Sequence, residues 1–308
     1  MSLVKPVIAV VGAGAVGAYY GGRLAEHGHD VHFLLRSDYS VVAKNGWVIR
    51  SCDGDFSLGP DAAKAYEDVG KMPKADLVIV TLKATANHQY GPLIAPLLKE
   101  NTTILTLQNG LGNEDRLAEL FGAQRILGGL AFVCINRVSP GVIHHLDHGL
   151  VRIGEFIEGK TEKAAAIVEM FSKCRIRCDM LSSLKYGRWE KLIWNIPFNG
   201  LGAALDLTTD RLIGSALGTE MVRSVMTEVI AAAAGQGVQL PTDLIEEKID
   251  ATRTMGAYKS SMQFDREMRR PLEVEAILGE PLRAAQRARI PTPNLQALYQ
   301  MVCVVDRS

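Results

Sequence analysis

Lys191, Asn195 and Asn199 follow one another at intervals of four in the stretch 189–199, whose other positions include Trp189, Leu192, Ile193, Trp194, Ile196 and Phe198. Side chains four apart stack on one face of a helix. One ammonium and two amides in such apolar company are costly to bury unless they meet a polar partner. This face is therefore expected to bind a small polar molecule. A polar stripe turned to solvent, with the aromatic rings packed on the opposite side, is the plainer alternative. Pro197 removes the bond to the Ile193 carbonyl and is expected to kink the helix. Further on, Glu273 follows Pro271 at the start of a helical segment, where the dipole alone favours a carboxylate as a cap. Residues 259–265, with Ser261 among them, read as a polar stretch between helices.

A second set of residues concerns a nucleotide. The apolar run 7–11 leads into Gly12-Ala13-Gly14-Ala15-Val16-Gly17 and then into a helix-like segment, the order of a dinucleotide-binding turn. In such a turn Gly12 permits the tight bend, Gly14 lets a pyrophosphate approach the backbone, and Gly17 lets the helix lie close on the sheet. The helix N-terminus adds free N–H groups and a positive dipole end. The next apolar run, 30–36, ends in Arg36. An NAD site usually places Asp or Glu near there for the ribose 2′-hydroxyl. Arg36 suits a 2′-phosphate instead, with Ser37 as an added hydrogen-bond donor, so the cofactor is expected to be NADP(H). Asp30 lies at the wrong end of the strand to compete, and a solvated strand-end arginine is the plainer reading of Arg36. Lys83 closes the run 76–82, and Asn109-Gly110 follows the run 103–107. Alone, these are a solvated lysine and a turn dipeptide. Their position tilts both toward function, since ligands of open α/β sheets bind outside the carboxyl ends of the strands.

The elements that carry these residues fall into two halves. Through about residue 155, apolar runs at 7–11, 31–35, 47–50, 76–82, 103–107 and 126–133 alternate with helical segments near 15–28, 87–99 and 113–121. That alternation predicts an α/β fold, an N-terminal Rossmann-type doubly wound and largely parallel sheet. Residues 142–145 and 150–154 read as a hairpin closing the sheet, and 160–174 as one more helix. From about Ser182 the pattern is helical throughout, at 184–195, 211–236, 242–258, 272–289 and 293–304, which predicts a smaller all-α domain. Met221–Ala234 is apolar enough to be its central buried helix. The domains are expected at 1–180, binding NADP, and 181–308, with substrate meeting cofactor in a cleft between them.

Composition narrows the partners. Lysine plus arginine and aspartate plus glutamate both number 34 in the 308 residues, so no basic excess points to nucleic acid or an acidic membrane. No secretory signal and no membrane-spanning apolar run is visible. The five cysteines make no metal or disulfide framework and read as reduced thiols of a cytoplasmic protein. His144, His145 and His148 are taken as surface residues, and no metal is expected. The apolar helical half offers a surface for a homodimer.

Taken together, the motifs resemble the ketopantoate reductase family (2-dehydropantoate 2-reductases), NADPH enzymes of pantothenate synthesis. The resemblance rests on the glycine turn at 12–17, Arg36, V-T-L-K-A at 80–84, N-G-x-G at 109–112, W-x-K-L-x-x-N-x-x-x-N at 189–199, S-S-M at 260–262 and L-E-V-E at 272–275, and it covers essentially the whole chain. It implies that Lys191 is the general acid and Glu273 a carboxylate of the substrate site. It also places Lys83 and Asn109 beside the cofactor and reacting centre, Asn195 and Asn199 on the substrate, and Ser261 at the substrate carboxylate. Thr209 departs from the pattern: one branch of the family carries a substrate-contacting asparagine there. A paralogous reductase of another branched 2-oxo acid or imine, and a non-catalytic NADP(H) sensor, remain as alternatives.

Overall fold

The computed structural model describes residues 6–159 and 162–306. It divides into two compact units, one formed by Met1–Gln108 with Asn113–Leu184, the other by Asn109–Gly112 with Lys185–Ser308. The first unit holds, among the described residues, the strands β1 (Val7–Val11), β2 (Asp30–Leu34), β3 (Trp47–Ser51), β4 (Phe56–Leu58), β5 (Ala65–Tyr66), β6 (Ala75–Val80), β7 (Leu98–Thr106), β8 (Ile126–Ser139), β9 (Val142–Glu155) and β10 (Cys178–Met180). They form one sheet in the order β4-β3-β9-β8-β7-β6-β1-β2-β5, with β10 paired to β9. Only β3/β4 and β8/β9 are antiparallel. Its helices are α1 (Ala15–Glu26), α2 (Tyr39–Asn45), α3 (Pro60–Ala63), α4 (Tyr90–Ile94), α5 (Asn113–Phe121) and α6 (Glu162–Lys173).

The unbroken apolar run of β1 follows from burial on both faces. Ile8 and Val10 pack with Tyr19, Tyr20 and Leu24 of α1, while Ala9 and Val11 pack with Tyr90, Ile94 and Leu117 on the other side. Helix α1 can approach the sheet because position 17 lacks a side chain. A Cβ there would lie 2.4 Å from Thr81 Oγ1 and 2.9 Å from Val10 Cγ1.

The second unit is helical: α7 (Leu184–Leu205), α8 (Thr209–Ile213), α9 (Ala216–Gly235), α10 (Leu244–Arg253), α11 (Ser261–Glu267), a five-residue π-helical segment Glu275–Gly279, α12 (Glu280–Arg287) and α13 (Pro293–Asp306). Helix α9 is its hub, packed against α8, α10, α12 and α13. Only one face of it is buried, through Val222, Val225, Met226, Val229, Ala232 and Ala233; Met221 and Leu217 are exposed.

Several expectations are corrected. The segment 87–99 is not one helix: Pro92 and Pro96 divide it into a 3₁₀ turn Ala84–Gln89, the short α4 and a second 3₁₀ turn Ala95–Leu97, before β7 begins at Leu98. Residues 142–145 and 150–154 do not pair as a hairpin. They belong to one strand, β9, whose hairpin partner is β8 across the turn at Pro140-Gly141. The apparent turn between them is a bulge, with His148 at φ 67° and Gly149 at φ 106°. Helix α7 runs on through Pro197 to Leu205. The segment 211–236 is two helices, and 259–265 is mostly α11, capped by the Ser260 hydroxyl accepting from the Gln263 N–H. The predicted helix 160–174 begins outside the described residues and is observed from Glu162.

Replacing Gly17 by valine should force α1 off Val10 of β1 and off Thr81, the residue after β6. Overpacking of this kind costs about 1–3 kcal/mol, measurable as a lowered urea-unfolding midpoint.

Candidate active site

In the first unit the chain leaves β1 through Gly12, whose φ of 85° makes the bend. The Ala13 N–H then bonds the Leu34 carbonyl at 3.2 Å. Gly14 stands immediately before α1, and a Cβ there would find no atom nearer than 3.9 Å, so the space in front of the helix is open. The first turn of α1, from Ala15 through Val16 and Gly17, holds no acidic side chain, and N–H groups of a first turn have no acceptor within their own helix. A pyrophosphate fits this cradle. Arg36 and Ser37 are exposed just beyond β2, and Lys83 is exposed just beyond β6. Because β6, β1 and β2 are adjacent and parallel, the glycine turn, Arg36 and Lys83 share the carboxyl edge of the sheet. Asp30 is at the opposite end of β2, held by Lys64 at 2.5 Å and by His32 at 3.0 Å.

Sequence reading passed over a buried amide network at the same edge. Gln108 donates from Nε2 to Asn87 at 2.8 Å and accepts on Oε1 from Tyr90 at 2.5 Å and from Thr106 at 2.8 Å. Asn87 in turn donates to Asn113 at 2.8 Å. The network ties the chain after β6 to the chain after β7. Gln108 precedes the Asn-Gly turn directly, which is the signal that was available.

In the second unit, Lys191 Nζ donates to Asn109 Oδ1 at 2.8 Å. Asn109 is carried by the loop 109–112, which the Leu111 N–H pins to the Ala276 carbonyl at 2.9 Å. Burial of the ammonium, reinforced by the Arg188 cation and opposed by the Glu273 carboxylate, brings the Lys191 pKa down to about 7. Burial is the largest cause, but Arg188, a buried side chain one turn before Lys191, was not foreseen.

The remaining residues of the set also lie in this unit. Asn195 and Asn199 are buried on α7, with 7% and 2% of their surface exposed. Asn199 Oδ1 accepts from the Ser261 hydroxyl at 3.1 Å and from the Met262 N–H at 3.0 Å, which joins α7 to the start of α11. Asn195 makes no side-chain hydrogen bond among the described residues, and its amide is not among the buried groups left without a partner, so it stays within reach of solvent or a ligand. Glu273 is buried one residue before the helical segment starts at Val274. Trp194 is anchored by Nε1 donating to Thr252 at 2.9 Å and stacks on Phe198 at 4.8 Å between ring centres. The Thr209 hydroxyl, at the position where one branch of the family carries an asparagine, donates to the Gly256 carbonyl at 2.9 Å.

The histidine reading needs one correction. His144 and His148 are exposed, whereas His145 is buried, and its ring nitrogens lie within reach of Cys52 and Asp53. The His145 Nε2–H bonds the Asp147 carbonyl at 3.0 Å, and Nδ1 lies 2.9 Å from the Ser51 hydroxyl, which donates to it. The carbonyl can only accept, so Nε2 carries a hydrogen, and burial lowers the His145 pKa from its ordinary value, which favours the neutral ring with Nδ1 as the acceptor.

The charge pattern around Lys191 predicts opposite shifts. Arg188→Met should raise its pKa above about 7 and Glu273→Gln should lower it below that value, read from the NMR titration of the lysine side chain.

The model of the family described as Ketopantoate reductase PanE/ApbA matches residues 8–158, and that of its C-terminal domain matches 183–306. The 2-dehydropantoate 2-reductase of Nostoc sp. is 43% identical over 303 residues, covering 97% of this chain and 94% of that protein. The crystal structure of 2-dehydropantoate 2-reductase from Geobacter metallireducens is similar with a TM-score of 0.94 and 45% identity, over 96% of this chain and 99% of that one. D-mandelate dehydrogenase, solved with NADH and anilino(oxo)acetate, shares the fold at TM-score 0.91 and 22% identity, covering 97% of this chain and 98% of its own. Matched in both halves and similar to its relatives over nearly its full length, the chain belongs to the ketopantoate reductase family.

Proposed function

We propose that this protein reduces 2-dehydropantoate (ketopantoate) to pantoate with NADPH, residues 1–180 binding the cofactor and residues 181–308 supplying the acid. The observation that carries the reading is Lys191, a partly buried ammonium with a pKa of about 7 whose Nζ donates to Asn109. The Nostoc and Geobacter relatives named 2-dehydropantoate 2-reductase support the choice of substrate. NADPH, when bound, supplies the hydride that adds to the ketone carbon. The chain's own residues then have separate tasks. Gly12, Ala13, Gly14, Ala15, Val16 and Gly17 seat the pyrophosphate on the first turn of α1, and Arg36 meets the 2′-phosphate. Lys83 and Asn109 border the cofactor. Lys191 Nζ donates a hydrogen bond to the carbonyl oxygen and passes it a proton as negative charge builds there, leaving a neutral amine. A pKa near 7 makes that transfer easy without losing the protonated form at neutral pH.

Substrate recognition falls to the same unit as the acid. Asn195 offers its unpartnered amide, Asn199 and Ser261 form the pair that meets the substrate carboxylate, and Glu273 accepts from the distal hydroxyl. No metal is called for, because an ammonium does the polarising. No described helix is long and apolar enough to cross a membrane; with the balanced charge and free thiols, a cytoplasmic enzyme without nucleic-acid partners is the consistent picture. The exposed Leu217 and Met221 of α9 offer a surface for a homodimer.

Oxidation of NADPH in the presence of a panel of branched 2-oxo acids tests the reading, with ketopantoate expected to give the highest kcat/KM. A different preferred acid would make the protein a paralogous reductase, and no turnover with any of them would make it a sensor. Lys191→Ala should lower kcat about 10²–10⁴-fold, the usual worth of a general acid, while the NADPH dissociation constant changes less than about twofold. For the unmodified enzyme kcat/KM should fall as pH rises through about 7, since only protonated Lys191 can donate; a flat profile from pH 6 to 9 would remove it as the acid.

A further inference from the structure

Two residues beyond Arg36 stands Asp38, and its position is unusual for an acid at this edge. Arg36 and Ser37 are exposed, while the Asp38 side chain is only 3% exposed. A carboxylate after the second strand is the group that, in NAD sites, takes the ribose 2′-hydroxyl. Here it is turned away and fully engaged. One carboxylate oxygen accepts from the Arg137 guanidinium and from the Ser37 hydroxyl at 3.0 Å, and the other accepts from the Gly141 N–H at 3.3 Å. Arg137 comes from β8, close to the tip of the β8–β9 hairpin, and also donates to Ser37 Oγ at 3.0 Å. About a third of its side chain is exposed, so the guanidinium, with five donors in a fixed fork, keeps donors facing solvent.

Charge explains what the arrangement does. Arg36 and Asp38 alone would make a neutral pair, and the carboxylate would repel a phosphate dianion that Arg36 attracts. Arg137 cancels that carboxylate and leaves the group with one net positive charge, beside a serine hydroxyl held in place by both. We propose that Arg137 is a specificity-determining residue for the cofactor: with Arg36 and Ser37 it forms the recess for a phosphate monoester on the ribose, and it withholds Asp38 from a free 2′-hydroxyl. The inference rests on the NADP(H) reading above. It adds to that reading a residue a hundred positions along the chain, which no spacing rule connects to the glycine turn.

Dissociation constants of NADPH and NADH, from nicotinamide fluorescence, and of adenosine 2′,5′-bisphosphate, by competition, test it on the full chain. Losing a charged hydrogen-bond donor costs about 1.5–3 kcal/mol, roughly ten- to a hundredfold. Arg137→Met should therefore weaken NADPH and the bisphosphate by at least about tenfold and NADH by less than about threefold. Adding Asp38→Asn to Arg137→Met should recover part of the NADPH affinity, because the uncompensated carboxylate is then gone. Equal weakening of both cofactors would make the Arg137–Asp38 pair only a clamp on the hairpin and overturn the proposal, as would an unchanged preference. If Arg137→Met does not fold, Asp38→Asn is compared with the double variant, where the same selective loss of NADPH is required. A wild-type protein that binds NADH as tightly as NADPH would sink the NADP(H) reading itself; a preference for NADPH that Arg137→Met leaves intact sinks only the role of Arg137.

Discussion

An ammonium that is partly out of water is the constraint around which the second unit is arranged. Desolvation alone would drive Lys191 to the neutral form, and the Arg188 cation pushes in the same direction. Glu273 opposes them, and the Asn109 oxygen accepts the ammonium's hydrogen bond. The balance lands near neutrality, where the group changes charge easily, and it depends on distances that the surrounding packing must hold. Trp194 fastened to Thr252, the Trp194–Phe198 stack and the loop 109–112 pinned at Ala276 are the parts that hold them. A looser packing would admit water, and the ammonium would revert toward its ordinary value.

The first unit obeys a different constraint, the parallel sheet. Parallel strands put their carboxyl ends on one edge, so the glycine turn, Arg36 and Lys83 arrive together without any direct bond between them. What that edge still requires is internal support for its loops. The Gln108, Asn87, Tyr90 and Thr106 network provides it with neutral groups, which leaves the local field to the cations at the surface. The two units thus use polar burial differently: the second for tuning a charge, the first for fixing a shape.

Much of this was legible in the residues. The glycine turn, Arg36 and the four-residue rhythm of Lys191, Asn195 and Asn199 are local patterns, and local patterns survive translation into structure. Burial of Asn195 and Asn199 on one helix followed from the same rhythm. What failed depended on partners distant in sequence. The bulge at His148-Gly149 reads as a turn, and only pairing with β8 reveals one continuous strand. His145 reads as exposed until Ser51 and the Asp147 carbonyl close around its ring. Arg188 differs from any helix-surface arginine only through its buried place near Lys191, and the reach of Arg137 to Asp38 spans ninety-nine positions. The loop reading of 259–265 missed a local signal, the Ser260 cap of α11.

The loop 109–112 carries one more implication. It follows β7 in the chain yet packs as part of the second unit. The polypeptide therefore contributes to that unit twice, and the oxygen that receives the Lys191 hydrogen bond is encoded far upstream of the lysine. Cutting the chain near residue 184, or exchanging its C-terminal half with that of a relative, would separate an acid from the group that orients it. The two halves can drift in surface and loop, but at these four residues they are bound to inherit together.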